Sequence, residues 1–172
     1  VTLGESRTYN GKSQTVVIES VIVNGRSLTS DDYTIEGTAT ATDAGKYNIV
    51  LNGTGNYTDA YECQWEILKA DPWIASWSPY IYTKCKFTGK QIENPTAENL
   101  PLNFGSFTDI SQFNWYFATK NADNTYSKGA SLTEAPIDAG DYYIEAVFNE
   151  GTNTKAGIFG TFLTVTPNTD NQ

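Results

Sequence analysis

Asp43-Ala44-Gly45-Lys46-Tyr47 recurs 95 residues downstream as Asp138-Ala139-Gly140-Asp141-Tyr142. Each copy runs straight into an alternating stretch, Tyr47-Asn48-Ile49-Val50-Leu51 in one case and Tyr142-Tyr143-Ile144-Glu145-Ala146-Val147-Phe148 in the other. Each is also preceded by a Gly-Lys turn behind an aromatic residue, Tyr9-Asn10-Gly11-Lys12 and Phe87-Thr88-Gly89-Lys90. A turn-plus-strand signature that occurs twice predicts two copies of one small β unit.

The expected boundaries are 1–70 for the first unit and 71–168 for the second. The junction falls at Lys69-Ala70-Asp71-Pro72. Pro72 lacks a backbone donor and holds Asp71 extended, which makes it a poor place to continue a strand ladder. Short β-branched runs punctuated by Gly, Asn and Asp fill the first unit, and Asn24-Gly25 is a strong hairpin signal. The second unit carries longer central strands and an extra hairpin, because 51 residues separate Gly89 from Gly140 against 34 between Gly11 and Gly45. That surplus holds Phe113, Trp115 and Phe117, expected on one core face, and a polar hairpin tip over 121–128. No stretch sustains an i, i+3, i+4 apolar pattern, so no helix is predicted.

The repeated signature has a chemical reading. An Asp side chain can accept a backbone donor two residues on and so pin a turn. Gly two positions later supplies a backbone shape that a Cβ would disfavour. Tyr two positions further on turns its ring inward, and its hydroxyl requires a partner from the corner backbone. This is the logic of the tyrosine corner in immunoglobulin-like sandwiches. The candidate structural residues are therefore Asp43, Gly45, Tyr47, Asp138, Gly140 and Tyr142. The fold expected is all-β: two tandem immunoglobulin-like β-sandwich domains, the first a short version. Ile49 and Ile144 stand where antibody domains have a cysteine, so apolar burial would replace the inter-sheet bridge. Trp115 would sit at the sheet centre of the second unit, and the first has no Trp at the matching place.

Composition removes several functions. A net charge of -9 argues against nucleic acid, which needs clustered Lys and Arg. No His is present, so His-based triads and general bases are absent. Cys63 and Cys85 both read as small buried hydrophobes, and no His stands near either to activate a thiolate. Asp31-Asp32, Asp43 and Asp138 read as turn acids rather than a catalytic pair. No cofactor, no metal and no enzymatic activity is expected, and no apolar run is long enough to span a membrane. The chain starts at Val1 without a signal peptide and reads as a mature or excised segment.

Trp73, Trp77, Tyr80 and Tyr82 fall within ten residues at the start of the second unit. Exposed rings of this kind can stack on sugar faces or anchor a protein partner, whereas buried ones would pack a joint between units.

The ordered set Val21-Ile22-Val23-Asn24-Gly25, Asp32-Tyr33-Thr34-Ile35, Asp43-Ala44-Gly45-Lys46-Tyr47, Gly53-Thr54-Gly55-Asn56-Tyr57 and Trp65-Glu66-Ile67 resembles bacterial immunoglobulin-like repeats of the MBG and YDG groups. It covers nearly all of 5–69. The second unit resembles the same broad group through Phe87-Thr88-Gly89-Lys90, Trp115-Tyr116, Ala135 to Tyr142 and Phe162-Leu163-Thr164-Val165. It departs at Glu150-Gly151-Thr152-Asn153-Thr154, where the first unit has Gly-Asn-Tyr. The resemblance implies a non-enzymatic, monomeric segment of a secreted or cell-surface bacterial protein, a stalk or adhesin module that meets a protein or glycan outside the cell. The alternative is a carbohydrate-binding accessory module using the Trp73 to Tyr82 aromatics.

Overall fold

Alternation of side chains sets the sheets. The computed structural model describes residues 1–74, 85–98 and 100–168, and among these the chain is strand, turn and one short 3-10 turn at Phe107–Asp109, with no α-helix. The chain divides into two compact units: Val1–Ala70 with Thr152–Thr154, and Asp71–Gly151 with Lys155–Gln172.

The strands of the first unit are β1 (Thr2–Leu3), β2 (Arg7–Thr8), β3 (Gln14–Thr15), β4 (Ile18–Ser20), β5 (Ile22–Val23), β6 (Arg26–Ser27), β7 (Tyr33–Gly37), β8 (Thr40–Ala41), β9 (Gly45–Gly53) and β10 (Ala60–Leu68). Four of them form the main sheet in the order β2-β10-β9-β7, and the others pair as β1-β4, β3-β8 and β5-β6. Ile49 and Leu51 on β9, with Trp65 and Ile67 on β10, point one way and are buried. Lys46, Asn48, Glu62 and Gln64 point the other way into water. Val21, Leu3, Ile18 and Leu28 from the small ribbons pack onto the apolar face. Each such side chain removed from water contributes roughly 1.5–3 kcal/mol. The β5-β6 hairpin turns through Asn24 and Gly25, with φ of 50° and 78°. Positive φ at both central residues is the type I′ geometry that Asn-Gly favours.

The strands of the second unit are β11 (Trp73–Ile74), β12 (Cys85–Lys86), β13 (Leu102–Phe104), β14 (Ile110–Lys120), β15 (Tyr126–Leu132), β16 (Gly140–Phe148) and β17 (Gly157–Thr166). The main sheet runs β12-β17-β16-β14-β15, and β11 pairs with β13. Tyr142, Ile144, Ala146 and Phe148 on β16 form the core with Trp115, Leu163, Val165, Ile74 and Leu100.

The two main sheets match strand for strand. β2 runs parallel to β10, as β12 does to β17. Just past each parallel pair the same hydrogen bond recurs, Tyr9 N–H to Leu68 O and Phe87 N–H to Thr166 O, both 2.8 Å. Gly11 and Gly89 follow with φ of 74° and 71°. Gly45 faces Ile67 as Gly140 faces Val165. The second sheet adds β15 beyond β14, at the position where the first sheet ends on β7.

Two expectations change in detail. Phe117 is 49% exposed, although Trp115 is buried and Phe113 packs at the core margin. Phe117 keeps the inner face, opposite the buried Tyr142 with ring centroids 6.0 Å apart, but it is the last residue of the β14-β16 pairing and its outer side is left uncovered. Cys63 is a half-buried free thiol rather than a core residue, because the apolar face of β10 runs out toward the exposed Tyr61. The first unit does bury an indole: Trp65 enters from β10 and donates Nε1–H to Thr38 O at 2.7 Å. In the second unit Trp115 donates to Asn94 Oδ1 at 2.8 Å. Among the described residues no buried polar side-chain atom lacks a partner.

Candidate functional site

The two Asp-Ala-Gly-x-Tyr segments build the same corner. The Tyr47 hydroxyl donates to Asp43 O at 2.7 Å, and the Tyr142 hydroxyl donates to Asp138 O at 2.9 Å. Each ring thereby straps the first turn of its strand to the residue four positions earlier. Tyr142 is the more deeply buried, and burial pushes its hydroxyl above the ordinary value. Tyr47 stacks at a tilt on Trp65, with centroids 5.2 Å apart.

The reasons for Asp and Gly in the signature differ from those read in the sequence. Neither aspartate carboxylate accepts a backbone donor two residues on; the main-chain carbonyl closes the corner. Asp43 Oδ1 accepts from Asn153 Nδ2 at 3.0 Å, while Asn153 Oδ1 accepts from Ala44 N–H at 2.7 Å. These bonds lie within the first unit, to which 152–154 belong. Gly45 and Gly140 are not among the left-handed glycines. They lie beneath the tyrosine ring two residues ahead, and a Cβ would come within 3.5 Å of Oη at Gly45 and 3.3 Å at Gly140. At Gly140 glycine supplies room for the ring and not backbone shape, whereas at Gly45 a methyl group would meet only ordinary contact.

Of the aromatic cluster, Trp77, Tyr80 and Tyr82 lie outside the described residues. Trp73 is described only by its strand pairing with Phe104.

The outer face of the five-stranded sheet holds a group that the sequence reading missed. Tyr116 faces Tyr143 across β14-β16, and Tyr143 faces Phe162 across β16-β17. Their centroids are 6.2 and 4.6 Å apart, and Tyr126 reaches Phe162 at 5.7 Å. Beneath them Glu145 is only 6% exposed, yet it is on the solvent side of its strand. Its Oε1 receives Lys128 Nζ at 2.6 Å. The ammonium also lies 4.5 Å from the Tyr116 centroid, within cation–π range. Hydrogen bonding to Glu145 raises both the Lys128 and the Tyr116 pKa above their ordinary values. Burial raises that of Tyr143. Gly160 accommodates the Tyr143 ring, since a Cβ there would also come within 2.7 Å of Ile144 O. The sequence signal was available: Tyr143 and Glu145 fall out of phase with the buried Tyr142, Ile144 and Ala146.

The first unit has a cavity of about 430 Å³ at the end that carries the β5-β6 hairpin and the β9-β10 loop. Cys63 lies elsewhere, on β10, and burial raises its thiol pKa, which leaves it a poor nucleophile. Among the described residues no group of three or more His, Cys, Asp or Glu side chains could hold a metal ion. No helix there is long and apolar enough to cross a membrane.

No known protein family, no curated protein and no solved structure matches this chain.

Proposed function

We propose that this chain is a structural and interaction segment of a bacterial secreted or cell-surface protein, built as two tandem immunoglobulin-like sandwiches and serving as a stalk or adhesin module. The observation that carries this reading is the parallel pairing of the first and last strands of each main sheet, β2 with β10 and β12 with β17. When a chain is pulled from its two ends, parallel terminal strands slide along one another. Their hydrogen bonds are then loaded together rather than opened one at a time. Tyr9 N–H to Leu68 O and Phe87 N–H to Thr166 O extend that clamp by one bond in each unit. The tyrosine corners and buried indoles support the immunoglobulin-like assignment. The reading gives the chain no chemical reaction to perform.

Single-molecule pulling between the ends of the chain tests it. Two separate unfolding peaks are expected, and Tyr9→Pro, which removes one clamp donor, lowers the force of one of them. A chain that extends without a resisting peak overturns the stalk reading.

A further inference from the structure

The loop end of the first unit combines an apolar floor with polar groups that the fold leaves unused. The floor of the 430 Å³ cavity is the outer edge of the core, Val21, Leu28 and Leu51. Its size lies within the range of small-ligand sites. Two tyrosines with exposed surface line it: Tyr57, half-buried, and Tyr61, 55% exposed. Asn24 on the hairpin turn and Asn56, Thr58 and Asp59 on the β9-β10 loop add polar groups to a lining that also takes in Val1, Ile22, Val23 and Tyr33.

The loop is held in place before any ligand arrives. Thr54 N–H donates to Asp32 O at 2.8 Å, and Thr54 Oγ1 donates to Asp31 O at 3.0 Å. Gly53 N–H reaches Asp59 O at 3.0 Å, and Tyr57 N–H reaches Thr54 O at 3.1 Å. The chain folds back so closely that a Cβ on Gly53 would come within 2.9 Å of the Tyr57 carbonyl. Asp32 itself is engaged, taking both Thr29 N–H and Thr29 Oγ1–H. By contrast, the side chains of Asn24, Asn56, Tyr57, Thr58, Asp59 and Tyr61 make no hydrogen bond within the described chain. A pre-ordered wall spends little of its binding energy on loop ordering.

We propose that this cavity binds a neutral carbohydrate, one pyranose unit of an oligosaccharide entering between Tyr57 and Tyr61. A pyranose offers C–H faces to the aliphatic floor and tyrosine rings, and a girdle of hydroxyls to amide, hydroxyl and carboxylate partners. An apolar peptide side chain would cover the floor but leave the polar rim without partners, at a desolvation cost for each group. Asp59 at the rim and the net charge of -9 disfavour acidic sugars. The site does not depend on the mechanical reading above, and either can fail alone.

Amide chemical shifts of the whole chain, titrated with cello-, xylo-, manno- and N-acetylchito-hexaose and with a heparin hexasaccharide to roughly 10 mM, decide the matter. At least one neutral hexaose is expected to shift the amides of 21–28 and 53–61 and leave the second unit unmoved. Tyr57→Ala and Tyr61→Ala each weaken binding at least about tenfold, the loss typical of an anchoring aromatic ring. The double change Asn56→Ala, Thr58→Ala touches only exposed loop side chains and weakens binding in the same direction. Four results overturn the proposal: no shift with any neutral hexaose, shifts confined to other residues, preference for the heparin fragment, or unchanged affinity in the double variant.

Discussion

Each corner has its hydrogen bond, and at the second a missing methyl group shares the work. The Tyr142 hydroxyl is buried, so Tyr142→Phe leaves the Asp138 carbonyl short of a donor that water replaces poorly. We expect a loss of about 1–1.5 kcal/mol in chemical denaturation, with a smaller loss for Tyr47→Phe at the more exposed corner. Equal effects would mean that burial does not govern the bond. The glycines separate the two copies further. Gly140→Ala forces its methyl against Tyr142 at 3.3 Å and lowers the unfolding midpoint, whereas Gly45→Ala meets only ordinary contact at 3.5 Å and leaves it nearly unchanged. A left-handed requirement would instead make both costly, so the pair of variants discriminates between shape and space. The spacing of the signature made the corner legible in the sequence. The backbone acceptor for the hydroxyl was legible with it, but the use of the Asp43 carboxylate was not, because its partner Asn153 lies 110 residues away.

Strand by strand, the inner faces follow from alternation and the outer faces do not. Ile49 and Ile144 are fully buried at matching places, and truncation of either to Ala should cost about 2–5 kcal/mol. The Asn24-Gly25 hairpin was legible from two residues alone, since few sequences tolerate positive φ twice in succession. The exposure of Phe117 was not, because alternation marks the face of a residue and not where the cover over that face ends. The Lys128–Glu145 pair escaped for a related reason: its partners lie 17 residues apart, on β15 and β16 with β14 between them. Glu145→Gln keeps the shape and removes the charge. The Lys128 and Tyr116 titrations should then move back toward their ordinary values in NMR-monitored pH series, with a drop in the melting temperature. Titrations that stay where they were would remove Glu145 as their cause.

For the whole molecule, the absence of His and the positions of the shifted groups set the response to pH. Hydrogen bonds from Thr29 lower the Asp32 pKa, and hydrogen bonds from Thr125 lower that of Asp123. A depressed carboxylate adds stability above its unfolded value of about 4 and loses it as pH falls through the folded value. At the other end Lys128, Tyr116, Tyr142 and Tyr143 are raised in the second unit, and Cys63 is raised in the first. A raised group adds stability that is fully present below its unfolded value and fades as pH climbs through the folded one. For Cys63 that window opens at about pH 8.5, and for Tyr and Lys at about pH 10. The melting temperature should therefore be flat from about pH 5.5 to 8, where an unperturbed His would otherwise titrate. It should fall on both sides. Above about pH 10 the second unit, with four raised groups, should lose its protected amides before the first. Hydrogen exchange across an alkaline pH series reads the order directly. If the first unit opened ahead of the second, the Glu145 cluster and the second corner would not be what tie the five-stranded sheet to its pH range.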